Sequence, residues 1–74
     1  MRQTRIEPVS ADTFLVAIEC ECGSGITRNT ETEERGFRHK VTLGGNDVNL
    51  ECECHKRYRI HPQASHFHVF EIST

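Results

Sequence analysis

The sequence predicts a small all-β domain, an antiparallel sheet of hairpins with little or no helix. Apolar residues alternate with polar ones in several segments, which is the period of a half-buried strand. No stretch of about ten residues keeps the i, i+3, i+4 spacing of an amphipathic helix. An aliphatic-Glu-Cys-Glu-Cys motif also occurs twice, at Ile18–Cys22 and Leu50–Cys54, each time at the end of an alternating segment.

The elements follow in chain order. Arg5 to Val9 is a short candidate strand. Phe14, Val16, Ile18, Cys20 and Cys22 then share one face of a second strand, with Glu19 and Glu21 on the other. Asn29 to Gly36 is polar and acidic and reads as an exposed hairpin tip. Phe37, His39, Val41 and Leu43 alternate with Arg38, Lys40 and Thr42. Gly44-Gly45-Asn46-Asp47 reads as a turn, since Gly and Asn tolerate positive φ, so a hairpin should deliver the chain to Val48. Val48, Leu50, Cys52 and Cys54 form the next apolar face, with Glu51 and Glu53 opposite. Tyr58 and Ile60 mark a strand ending before Pro62, and His66 to Ile72 a final one.

The chain has 74 residues, enough for one domain, taken as 1–74. A domain of this size buries only about 60% of the surface its unfolded chain exposes. Its apolar fraction is 35% and it has no Trp, so the core is thin and calls for a covalent or metal staple. The formal charge of -2 argues against a generic nucleic-acid coat. No apolar run is long enough for a membrane span, and the first residues lack the apolar stretch of a signal peptide. A cytoplasmic protein is expected, in which thiols stay reduced and four cysteines point to metal.

Two copies of a motif are too few for a solenoid but suit two halves of one metal site. Cys20, Cys22, Cys52 and Cys54 supply the four thiolates of a closed structural zinc site, and a single Zn2+ is the expected cofactor. Each pair is local, and the metal closes the long loop between them. Arg28, Lys56, Arg57 and Arg59 are candidate donors to the thiolates. The alternatives are cross-paired disulfides such as Cys20 with Cys52 or Cys54, four unbound thiols, or an iron–sulfur centre.

Over Phe14–Arg28 and Val48–Ile60 the chain resembles the small zinc-ribbon proteins. In that likeness Cys20, Cys22 and Gly23 form one zinc knuckle and Cys52 and Cys54 the other. The single-residue spacer departs from the usual two. The resemblance implies two knuckles on β-hairpins related by a pseudo-two-fold axis, and a binding module rather than an enzyme.

His61, His66 and His68 lie close together, and His-x-His on a strand can chelate a second ion. The plainer reading is surface or half-buried histidine beside Pro62. His55, directly after Cys54, is a substitute ligand on paper, but four cysteines already complete the shell. An enzyme is not expected, because a catalytic zinc keeps one position open for water.

The expected function is therefore a non-enzymatic, zinc-stabilised module. It would act as a small regulator, inhibitor or accessory subunit contacting a larger protein, either as a monomer or as a weak homodimer. The alternative is single-stranded or non-specific nucleic-acid binding through Arg38, Lys40, Lys56, Arg57 and Arg59, with Tyr58 stacking on a base. A second alternative is a thiol-based metal or redox sensor.

Overall fold

A computed structural model of the chain describes residues 3–72. The outermost residues of the expected 1–74 domain, 1, 2, 73 and 74, lie outside the described residues. Among the described residues there is no helix, so none is long and apolar enough to cross a membrane. Eight strands follow one another: β1 (Gln3–Pro8), β2 (Thr13–Glu19), β3 (Thr27–Asn29), β4 (Arg35–Gly36), β5 (His39–Thr42), β6 (Val48–Cys52), β7 (Arg57–Pro62) and β8 (Phe67–Ile72). All pairings are antiparallel.

The strands form two sheets where the sequence suggests one. A three-stranded sheet has the order β1-β2-β5, and a five-stranded sheet the order β4-β3-β6-β7-β8. They share one core. Val16, Ile18 and Val41 enter it from the first sheet, and Leu50, Tyr58 and Ile60 from the second. Cys20 and Cys52 complete the buried cluster. Period-2 alternation explains the choice: each residue is two positions from the next on its strand, so every second side chain points inward. At the end of β2 remote from Cys20, the Phe14 and Phe67 rings meet across the layers at 5.5 Å.

The expected hairpin between Leu43 and Val48 is not formed. The strands that flank this turn, β5 and β6, belong to different sheets. The turn itself falls earlier, at Thr42–Gly45, where the Gly45 N–H donates to the Thr42 carbonyl at 3.0 Å and Gly44 has φ 74°. It carries the chain from one layer to the other. A positive φ at the third position of a turn suits glycine, which has no Cβ to clash. Phe37 is a second correction. Alternation predicts it on the inner face with His39 and Val41, but β5 begins only at His39 and Phe37 is 65% exposed.

A buried polar contact joins the layers away from the cysteines. Thr27 on β3 and His39 on β5 meet through Thr27 Oγ1 and His39 Nε2 at 2.6 Å, and both side chains are buried. Burial of these groups without a partner would cost free energy, so the pair fixes how the sheets face each other.

Candidate metal centre

The two Cys-x-Cys segments have the same local geometry. In the first, the Gly23 N–H donates to the Cys20 carbonyl at 2.9 Å, and the Cys20 N–H to the Ser24 carbonyl at 3.2 Å. In the second, the His55 N–H donates to the Cys52 carbonyl and the Cys52 N–H to the Lys56 carbonyl, both at 2.8 Å. Each turn closes on a left-handed residue, Gly23 at φ 87° and His55 at φ 71°. This is the pattern of a three-residue loop that ends in a G1 bulge.

The sulfurs therefore converge for a different reason than strand alternation. Only the first cysteine of each pair continues a strand face. Cys22 and Cys54 lie in the turns, exposed, and the turns fold them back toward their partners. The two turns also differ in setting. The second joins neighbouring strands β6 and β7, while the first carries the chain from β2 in one sheet to β3 in the other. The cluster is thus a joint between layers.

The four Sγ atoms lie within 4.8 Å of one another. Cys20 Sγ is 3.3 Å from Cys54 Sγ, and Cys22 Sγ is 3.4 Å from Cys52 Sγ. Exchanging the two copies turns one of these pairs into the other, so the near-equal distances follow the pseudo-two-fold relation. All four thiols are free, and the sulfurs stand well beyond bonding distance of each other. A sulfur tetrahedron with edges of 4.8 Å or less has its centre within about 2.9 Å of each vertex, which is room for a single ion.

The environment favours charge on one thiol first. Burial opposes ionisation of Cys20. The Cys22 N–H, the Tyr58 hydroxyl and the thiols of Cys52 and Cys54 outweigh it and bring Cys20 down to about 6. Burial pushes Cys52 up, and the neighbouring thiols add to this against the Cys54 N–H. Cys54 is also raised: its strongest single influence, the Lys56 N–H, favours the thiolate, but the Cys20 and Cys22 thiols and desolvation oppose it and win. A divalent cation at the centre would remove this conflict by accepting all four thiolates.

No protein-family model matches this chain, and no curated protein or solved structure is significantly similar to it. The zinc-ribbon resemblance accordingly rests on the four cysteines and their two knuckles.

The group that supports the cluster was missed in the sequence. Tyr58 is fully buried, and its hydroxyl donates to Cys20 Sγ at 3.3 Å. Its place opposite Leu50, on the inward-facing row of β7, was the available signal. Its ring therefore offers no face to a nucleic-acid base, which corrects its expected stacking role. The cations expected to hold the thiolates pair with carboxylates instead. Arg28 bonds Glu51 at 2.9 Å and Glu33 at 3.3 Å, Arg57 lies 3.5 Å from Glu51, and Arg59 Nε donates to Asn49 Oδ1 at 3.0 Å with Asp47 at 3.9 Å. Lys56 clasps Glu21 at 2.9 Å and Glu71 at 3.0 Å, tying the second knuckle to the first.

The proposed phosphate-binding set is likewise divided. Arg38 pairs with Glu7 at 3.0 Å, and Lys40 stands on β5 opposite Leu15, both at the three-stranded sheet. Arg57 and Arg59 stand on β7 in the other sheet.

Proposed function

We propose that the chain is a non-enzymatic, zinc-held binding module whose metal is structural. The observation that carries this reading is the convergence of four cysteine sulfurs, from two well-separated segments, within 4.8 Å. Zn–S bonds of about 2.3 Å give tetrahedral S···S edges of about 3.8 Å. The distances of 3.3 and 3.4 Å and the 4.8 Å limit bracket that value. Zinc has no d-electron preference that would resist such a tetrahedron, and thiolates are its usual structural ligands.

A structural role follows from the ligand count and from the fold. Four cysteines leave no open position for water or substrate. The core is formed by eight buried side chains shared between two thin sheets, and the cluster ties those sheets together. Zinc-finger peptides gain an apparent ~10–16 kcal/mol from their metal near neutral pH, more than a core of this size supplies.

The module would serve a protein partner. Burial of Tyr58 and the pairing of Arg28, Lys56 and Arg57 with glutamates support protein over nucleic acid. Elemental analysis of tag-free protein purified without added metal tests the cofactor, and one zinc per chain is expected. Strong chelation should then abolish the β-sheet circular dichroism. A metal-free protein that keeps its fold would sink this reading. Capture of partners from the native host, using the zinc-loaded chain as bait, tests the second half.

A further inference from the structure

We propose a second metal site on the outer face of the five-stranded sheet, built from His61, His66 and His68 with Asp47 behind them. Its ligand is a late first-row divalent cation bound through imidazole. The site shares no residue with the cysteine cluster and does not depend on it.

The strand register builds it. On β7 and β8, His61 stands directly opposite His68. Residues paired in this way send their side chains from the same face, with Cβ atoms about 4.5–5.5 Å apart. That face is the outer one, because Tyr58, Ile60 and Pro62 occupy the buried positions of β7. His66 precedes His68 by two residues, and their rings meet edge to face at 4.9 Å. Three histidines thus share one corner of an open sheet face.

Their ring nitrogens are already sorted. His61 Nδ1 lies 2.6 Å from Asp47 Oδ1, so its N–H donates to that carboxylate and Nε2 carries the free lone pair. A carboxylate behind an imidazole in this way is the usual support of a metal-ligating histidine, fixing its tautomer and ring orientation. Arg59 Nε, which donates to Asn49 Oδ1 at 3.0 Å, lies 3.9 Å from Asp47 Oδ2. His66 Nδ1 is engaged by Ser65 Oγ at 3.2 Å, which again leaves Nε2 for a ligand.

The histidines are solvent-accessible: His66 and His68 are exposed and His61 half-buried. An ion can reach them, and because their donor atoms are not gathered within 4.8 Å as the four sulfurs are, binding requires rotation of the exposed side chains. Nitrogen donors of this kind select nickel, copper or zinc over magnesium or calcium.

Nickel is the probe of choice. The tag-free, zinc-loaded chain is titrated with Ni2+ by calorimetry, with zinc content followed in parallel. One bound Ni2+ per chain is expected, with the cysteine-bound metal retained. His61→Ala and His68→Ala should each weaken nickel binding tenfold or more. Asp47→Asn should weaken it about tenfold without removing a ligand, and His55→Ala should leave it unchanged. Circular dichroism of each variant confirms that the fold is intact. Absence of nickel binding, or binding by His61→Ala and His68→Ala as tight as the parent's, overturns the proposal. So does thiolate-to-nickel charge-transfer absorption with loss of zinc, which would place the ion on the cysteines.

Discussion

Gly23 and His55 occupy equivalent places in the two knuckles. Both have left-handed backbones, at φ 87° and 71°, and both donate their N–H to the carbonyl of the first cysteine of their pair. One position carries the residue best suited to that conformation, and the other carries a side chain that strains it by ~1 kcal/mol or more. Gly23→Ala should therefore destabilise the domain by about 1 kcal/mol. His55→Gly should be neutral or stabilising by up to about 1 kcal/mol, since relief of strain is offset by the greater freedom of glycine in the unfolded chain. Denaturant titration of the zinc-loaded variants measures both. The metal content of His55→Gly should be that of the parent. A His55→Gly protein that loses its metal would show His55 to be a ligand after all.

The Tyr58 hydroxyl supports Cys20 from inside the core, where water cannot replace it. Tyr58→Phe keeps the ring and its packing and removes only the donor. The fold should survive, while zinc affinity drops roughly 10–100-fold, as is usual when a ligand's outer hydrogen bond is lost. Competition against a chromophoric chelator reads the affinity directly. An unchanged affinity would mean that the hydroxyl is only a tenant of the core.

Cys54 provides the sharpest test of why the cysteines matter. Its side chain is exposed, and a substitution at such a site ordinarily changes stability by less than about 0.5 kcal/mol. Cys52 is buried, so Cys52→Ser confounds loss of a ligand with damage to the core. If the metal joins the two layers, Cys54→Ser should be nearly as damaging as Cys52→Ser, with zinc lost and the cooperative thermal transition gone. A Cys54→Ser protein that keeps one zinc and melts within a few degrees of the parent would remove Cys54 from the ligand set.

The four-cysteine cluster was legible in the sequence because a repeated motif needs no knowledge of the fold. So were the inward positions of Val16, Ile18, Val41, Leu50 and Ile60, since alternation along a strand fixes which side chains share a face. Alternation does not say which sheet a strand joins. The turn after β5 therefore looked like a hairpin when it is a crossing between layers. Nor does alternation mark where a strand begins, and Phe37 lies outside one because β5 starts two residues later. Tyr58 was misread because basic neighbours on both sides suggested a surface. On a strand, however, such neighbours belong to the opposite face, and their own partners lie across the sheet, Glu51 for Arg57 and Asn49 for Arg59.

His39 makes stability depend on pH in a stated direction. Burial against Thr27 disfavours its charged form and lowers it from the ordinary value of 6.5, even though backbone contacts at Thr27 and Gly36 and the charge of Glu34 act the other way. A histidine lowered in the fold binds a proton more readily when the chain is unfolded. Its contribution is therefore complete above the unfolded value and is lost as pH falls through 6.5 toward the folded one. Stability of the zinc-loaded protein should thus decline below pH 6.5, and His39→Gln, which cannot titrate, should show a shallower decline. The thiolates are common to both proteins, so the difference between the two curves isolates His39. Parallel curves from pH 7.5 to 5.5 would mean that the Thr27–His39 joint accepts the extra proton without cost. In that case its burial is not what fixes the facing of the two sheets.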